Sequence, residues 1–224
     1  MSSSASSISA REGYALWADT WDATPSAIVA LERRHLLPWI EKLDLRCCVD
    51  VGCGTGRWAA ELGALGFDAS REMLAVASKK PGLRGRIAAA DAIALPIASG
   101  AARSVLCCLT LAHIRQRDAA LRELGRTLAT GGTLIITDFH AAGAARGWKR
   151  TFRHNGNLYE LENYPYTLAE LRSGAEPLGL KLEEFVDATV GEPEREIFQR
   201  AGRPELFEAA TETPSVLLTR WRLR

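Results

Sequence analysis

Apolar and polar positions change period several times along this chain. Residues 12–22 and 26–42 place apolar side chains at helical spacing, and Pro25 fits the start of the second helix with Asp22 and Thr24 as candidate caps. RCCVDV (46–51) is a short apolar run closed by glycines and predicts a buried strand. Helical patterns follow at 57–64 and at 70–79, where Ser70 suits an N-cap and Glu72 the first turn. RIAAA (86–90) is a weak strand and SVLCCL (104–109) a stronger one. Residues 117–129 read as a helix ended by Gly131-Gly132, and TLIITDF (133–139) as a strand. Residues 168–178 predict another amphipathic helix, and 181–186 and 215–223 two more strands.

Strands that alternate with helices over most of the length specify an α/β fold. Its sheet is mainly parallel and doubly wound, with helices on both faces. Residues 140–166 interrupt the alternation. WKRTFRHNGNLYEL (148–161) has two alternating runs around Asn155-Gly156, a pair suited to the positive φ angles of a tight hairpin turn. Placed after the strand at 133–139, this insertion is expected to lie over the crevice at the strand ends. Residues 12–224 read as one domain with an N-terminal helical cap at 12–42 and a hairpin lid at 140–166. The Ser-rich residues 1–11 read as a disordered tail with no apolar core of a secretory signal.

Composition narrows the partners. Of the 224 residues, 28 are Lys or Arg and 27 Asp or Glu, a net charge of +1 that lacks the basic excess of a duplex-binding protein. No apolar run reaches the roughly 20 residues needed to span a bilayer. The five cysteines are odd in number, and Cys47-Cys48 and Cys107-Cys108 are adjacent rather than spaced as metal ligands. They predict buried small side chains in a reducing cytoplasm and no metal site. The expected protein is a monomer or homodimer that meets neither nucleic acid nor membrane.

VDVGCGTG (49–56) carries the chemistry. A strand ends at Asp50, and Gly52, Gly54 and Gly56 turn the chain into a helix, letting backbone approach a ligand closely. The spacing is GxGxG rather than the GxGxxG of dinucleotide binders. VDVGCGTGRWAAEL resembles the first motif of class I S-adenosylmethionine-dependent methyltransferases. The similar branch includes the ubiquinone/menaquinone C-methyltransferases and many small-molecule O- and N-methyltransferases. YALWADTWD (14–22), FDASREML (67–74), ADAIALPI (90–97), CLTLAHI (108–114) and LATGGTLIITDFH (128–140) resemble later segments of the same family, so the likeness covers nearly the whole chain.

The resemblance implies a Rossmann-like sheet with an antiparallel last strand and with 46–51 and 104–109 as neighbours, 46–51 being central. It implies S-adenosylmethionine as cofactor. Gly52, Cys53, Gly54 and Gly56 would form the cradle, Asp50 would attract the ammonium, and Asp68 would accept from the ribose hydroxyls. Asp91 and Ala92 would serve the adenine, with Leu109 at the end of the fourth strand and Tyr14 and Trp17 folded over the cofactor. One spacing departs from the family. Gly56 and Asp68 are 12 residues apart, against about 20 for a full helix and returning strand. Either helix and strand are both cut down, or residues are missing.

The implied activity is methyl transfer to a small molecule, with oxygen favoured over carbon or nitrogen. His113 and His140 follow the fourth and fifth strands and are candidate bases. In the hairpin segment, Trp148, Arg150, Arg153, Tyr159 and Tyr164 are candidate contacts for an aromatic or anionic acceptor. Macromolecule methylation is the less favoured alternative. Leu109-Thr110-Leu111-Ala112 stands where amino-methylating DNA enzymes carry an Asn/Asp-Pro-Pro-aromatic motif. A non-catalytic cofactor-binding or interaction protein is the other alternative.

Overall fold

A computed structural model describes residues 5–224. In chain order its elements are β1 (Ser6–Ile8), α1 (Ala10–Trp21), α2 (Ala27–Ile40), β2 (Cys48–Val51), α3 (Arg57–Leu62), β3 (Leu65–Asp68) and α4 (Arg71–Ala77). Then come β4 (Ile87–Ala89), β5 (Ala102–Cys108), α5 (Arg117–Thr127), β6 (Leu128–Phe139), α6 (Ala141–Ala145), β7 (Thr151–His154) and β8 (Asn157–Leu161). The chain closes with α7 (Leu168–Ala175), β9 (Leu180–Ala188), α8 (Glu192–Arg200), α9 (Phe207–Thr211) and β10 (Val216–Leu223). Among the described residues, no helix is long and apolar enough to cross a membrane.

The main sheet has seven strands in the order β4-β3-β2-β5-β6-β10-β9. All pairings from β4 to β6 are parallel, and β10 runs antiparallel to both neighbours, as expected. β2 and β5 are adjacent, Val49 opposite Val105. β2 is an interior strand, but the middle place belongs to β5.

Both faces of this sheet are covered, which is why its strands read as continuous apolar runs. Alternate residues of β5 and β6 serve opposite cores. Val105, Cys107, Leu134 and Ile136 pack with Leu121 and Leu124 of α5 and Leu171 of α7. Leu106, Cys108 and Ile135 pack with Leu31, Leu36 and Trp39 of α2 and Trp58 of α3. Pro38 sits within α2, whose N-cap is Ser26, accepting from Val29 N at 3.3 Å. The cap thus falls one residue after Pro25 rather than at Asp22 or Thr24. Ser70 caps α4 as expected.

The short spacing after Gly56 resolves as a trimmed unit. α3 has six residues and β3 four, and β3 still pairs with both β2 and β4. A strand held on both sides in a parallel ladder needs little length of its own.

A second sheet of three strands, in the order β1-β8-β7, lies in the hairpin region. Asn155 and Gly156 turn it with φ of 49° and 79°, both positive as a two-residue hairpin turn requires. The expected disordered tail is corrected here. Residues 1–4 lie outside the described residues, but Ser6–Ile8 pair parallel with Tyr159–Leu161. A tripeptide has no sequence periodicity of its own, and the open edge of β8 supplies its hydrogen bonds.

Candidate active site

The chain passes from β2 to β3 and β4 on one side, then returns to β5 on the other side of β2. That reversal makes a crevice at the C-terminal ends of β2 and β5, where open α/β sheets bind ligands. A cavity of about 330 Å³ opens there.

The glycine turn forms its floor. Gly52 has φ +73°, and an added Cβ would lie 2.3 Å from the Thr110 side chain, so only glycine lets this loop pass the end of β5. Gly54 has φ +54°, and the space its Cβ would occupy is open cavity. Gly56 does not line the cavity. It caps α3 with φ +80° and packs against Leu83.

Two carboxylates hold the turn. Asp50, buried at the end of β2, accepts from Ala59 N of α3 at 3.0 Å, and burial pushes its carboxyl up to about 7. Asp68 accepts from Gly54 N at 2.7 Å and Ser70 N at 2.8 Å, and burial raises it too. Both face the cavity. Cys53, Asp91, Ala92 and Leu109 line it as well, Leu109 with φ +52°. Burial pushes the Cys53 thiol far above its ordinary range, so it is not a nucleophile at neutral pH.

At the other end stand Tyr14, His113 and Arg150. Tyr14 Oη lies 3.0 Å from His113 Nε2, and Arg150 Nε donates to Tyr14 Oη at 3.2 Å. His113 Nδ1 lies 2.9 Å from the Glu162 carbonyl. Burial, and then the Arg150 charge, lower His113 to about 4, so the imidazole is neutral at physiological pH.

The other candidates are placed elsewhere. Trp17 does not reach the cavity. It stacks on Phe152 at 4.7 Å, fastening α1 to β7. His140 is corrected as a base. It caps α6 through Nδ1, which accepts from Ala142 N at 3.0 Å, and its Nε2 lies 3.0 Å from Asp187. Both ring nitrogens are engaged away from the cavity. Of the hairpin candidates, only Arg150 enters the main cavity. Trp148 and Tyr164 line an adjacent hollow that shares Arg150. Tyr159 stacks on Phe152, and Arg153 points to solvent because β7 alternates.

Sequence reasoning missed Glu32 and Arg57. Glu32, fully buried on α2, accepts from Thr137 Oγ1 at 2.6 Å and pairs with Arg57 Nη2 at 2.5 Å. Thr137 Oγ1 in turn accepts from Leu109 N at 3.1 Å, so α2 is wired to the end of β5. Arg57 lines the cavity with its guanidinium 4.7 Å from the Trp58 ring centroid. The signal was available. Ile28, Glu32, Leu36 and Trp39 follow one another at helical spacing, which places a carboxylate on the apolar stripe.

Comparison with known proteins places the chain in a family. Residues 49–136 match the methyltransferase domain family. The methyltransferase GfsG of Streptomyces halstedii is 30% identical over 198 residues, covering 79% of this chain and 68% of that protein. The chain belongs to the S-adenosylmethionine-dependent methyltransferases. Demethylmenaquinone methyltransferase of Thermus thermophilus is 38% identical to this methyltransferase over 110 residues, 45% of this chain and 50% of that protein. The solved structure of an S-adenosylmethionine-dependent methyltransferase from Mesorhizobium loti superposes with a TM-score of 0.66. It covers 88% of this chain and 100% of that one at 22% identity, a likeness of fold. S-adenosylmethionine is the cofactor of this enzyme family, and the cavity suits it. The face at Gly54 is open, Asp50 and Asp68 are buried acids on the cavity wall, and Phe67 and Met73 give apolar walls.

Proposed function

We propose that this methyltransferase acts on a small acceptor, aromatic or anionic, and at oxygen in preference to carbon or nitrogen. One observation carries the reading: a cation, a phenol and a neutral imidazole close the same cavity whose floor is the glycine turn. Asp50 would take the ammonium of S-adenosylmethionine, the Gly52–Gly54 backbone its amino-acid end, Asp68 the ribose hydroxyls, and Asp91 with Ala92 the adenine. Bound there, the cofactor supplies a methyl group activated on a sulfonium. Arg150 binds an anionic group of the acceptor and orients it. α1 and the hairpin cover the cavity and exclude water. His113, hydrogen-bonded to Tyr14, takes up the proton that the acceptor loses, and His140 has no part.

The neutral overall charge supports a small-molecule acceptor over nucleic acid. Panels of phenols, hydroxy acids and amines, assayed for S-adenosylhomocysteine release, test the reading. Phenols or hydroxy acids should be turned over. Release with amines alone, or with RNA, DNA or protein alone, would overturn it.

A further inference from the structure

His113 and Tyr14 are joined by a hydrogen bond whose direction can be worked out. A backbone carbonyl only accepts, so the contact between His113 Nδ1 and the Glu162 oxygen at 2.9 Å requires Nδ1 to carry the proton. A neutral imidazole has one N–H, so Nε2 presents a lone pair. Tyr14 Oη at 3.0 Å must then donate to it. Arg150 Nε donates to the same phenol oxygen at 3.2 Å. Tyr14 thus gives its proton to His113, accepts one bond from Arg150, and keeps a second lone pair at the cavity it lines.

We infer that Tyr14, rather than a histidine, is the catalytic residue that meets the acceptor hydroxyl, and that the proton leaves through it to Nε2 of His113. The inference rests on the proposed function and deepens it. The acceptor oxygen bonds to the methyl carbon as the carbon–sulfur bond breaks, and that electron pair stays on sulfur, converting a sulfonium to the thioether of S-adenosylhomocysteine. The acceptor's proton passes to Tyr14 Oη while the Tyr14 proton passes to His113, which ends as imidazolium. No other reactant is required.

The same arrangement selects the acceptor class. Arg150 Nη1 and Nη2 make no hydrogen bond among the described residues, and the guanidinium lies 5.7 Å from the Trp21 ring centroid. Its charge also opposes protonation of His113. A carboxylate bound at Arg150 offsets that charge and makes His113 a better proton acceptor. The preferred acceptor is a hydroxyl compound that also bears a carboxylate.

Two measurements test this. Tyr14→Phe keeps the ring stacked beside Trp17 at 6.2 Å and removes only the relay oxygen. In an acceptor series from 4-methoxyphenol to 4-nitrophenol at mildly alkaline pH, the variant should lose at least about 100-fold in kcat on the least acidic phenol. It should lose little on the most acidic, which arrives already ionised. S-adenosylmethionine affinity by calorimetry should change less than about twofold. An equal loss across the series would mean that Tyr14 is structural, and would overturn the relay. If the unaltered protein binds the cofactor but methylates no hydroxyl compound, the proposed function itself falls and the relay with it. Independently of turnover, nitrogen NMR should find His113 as the Nδ1–H tautomer, and the Nε2–H tautomer would also overturn the relay.

Discussion

A side chain at Gly54 would meet no protein atom within 4 Å, only the cavity, and its φ of +54° disfavours a β-branched residue. Gly54→Val should therefore abolish S-adenosylmethionine binding in calorimetry while near-UV circular dichroism stays close to that of the parent. Unchanged affinity would remove the glycine turn from the cofactor site. Asp91 is more exposed, and its Oδ1 already accepts from Ile93 N at 3.1 Å. Asp91→Ala should weaken binding by about 1–2 kcal/mol, the loss typical of one hydrogen bond. His113 sets a pH dependence. Held to about 4 by burial and Arg150, with Tyr14 as its other neighbour, it stays neutral in the fold while the unfolded chain takes up a proton below about 6.5. Stability is therefore lost as pH falls through that window. His113→Gln should lessen the difference in urea stability between pH 7 and pH 4 by roughly 2–3 kcal/mol. Asp50 and Asp138, the latter buried on β6 where it accepts from Tyr166 Oη at 2.8 Å, are both raised to about 7 by burial and push the opposite way, equally in parent and variant.

Elements are joined to the site by a few side chains. The buried pair Glu32–Arg57 ties α2 to α3 across the cavity floor. Removing the carboxylate leaves a guanidinium half-buried without its partner, so Glu32→Ala should cost about 3–5 kcal/mol in chemical denaturation, more than a surface ion pair would. A loss below about 1 kcal/mol would show the pair to be ornamental. Period and turn chemistry made most elements legible, from the buried strands to the Asn155-Gly156 hairpin. α8 and α9 were not anticipated, because they have only nine and five residues and are separated by Gly202 and Pro204, too few turns for a helical repeat to stand out. The strand at 133–139 begins five residues earlier, at Leu128, because a register shift between Ala102 and Ser104 lets it follow β5 back to its first residue. At the site, Asp50 and the glycines could be read because they share one local motif, whereas Asp68 lies 12 residues beyond Gly56, and its contact with Gly54 N depends on the short β3 that brings it back. The partition of the two histidines could not. His113 and His140 look alike in sequence, and only the distant partners Tyr14, Glu162 and Asp187 separate a histidine lining the cavity from a helix cap.

Across the whole molecule, two bodies of unequal solidity meet at the cavity. β5, β6 and β10 lie at the heart of the main sheet with both faces packed. The small sheet rests on α1 through a modest cluster around Trp17, Phe152 and Leu161. Amide exchange should be slowest in β5, β6 and β10 and faster in β1, β7 and β8, with added S-adenosylmethionine slowing the glycine turn and α1. Uniform exchange over both sheets would contradict that division. The pairing of Ser6 with Tyr159 also fixes an order of events. A chain made from its N-terminus carries residues 6–8 unpaired until β8 has been synthesised, when all five parallel strands of the main sheet already exist but β9 and β10 do not. Closing so long a loop is slow and brings few contacts. β9 and β10 are made later still, and β6 must wait for β10 as residues 6–8 wait for β8, so the main sheet is not finished until the last strand of the chain has arrived.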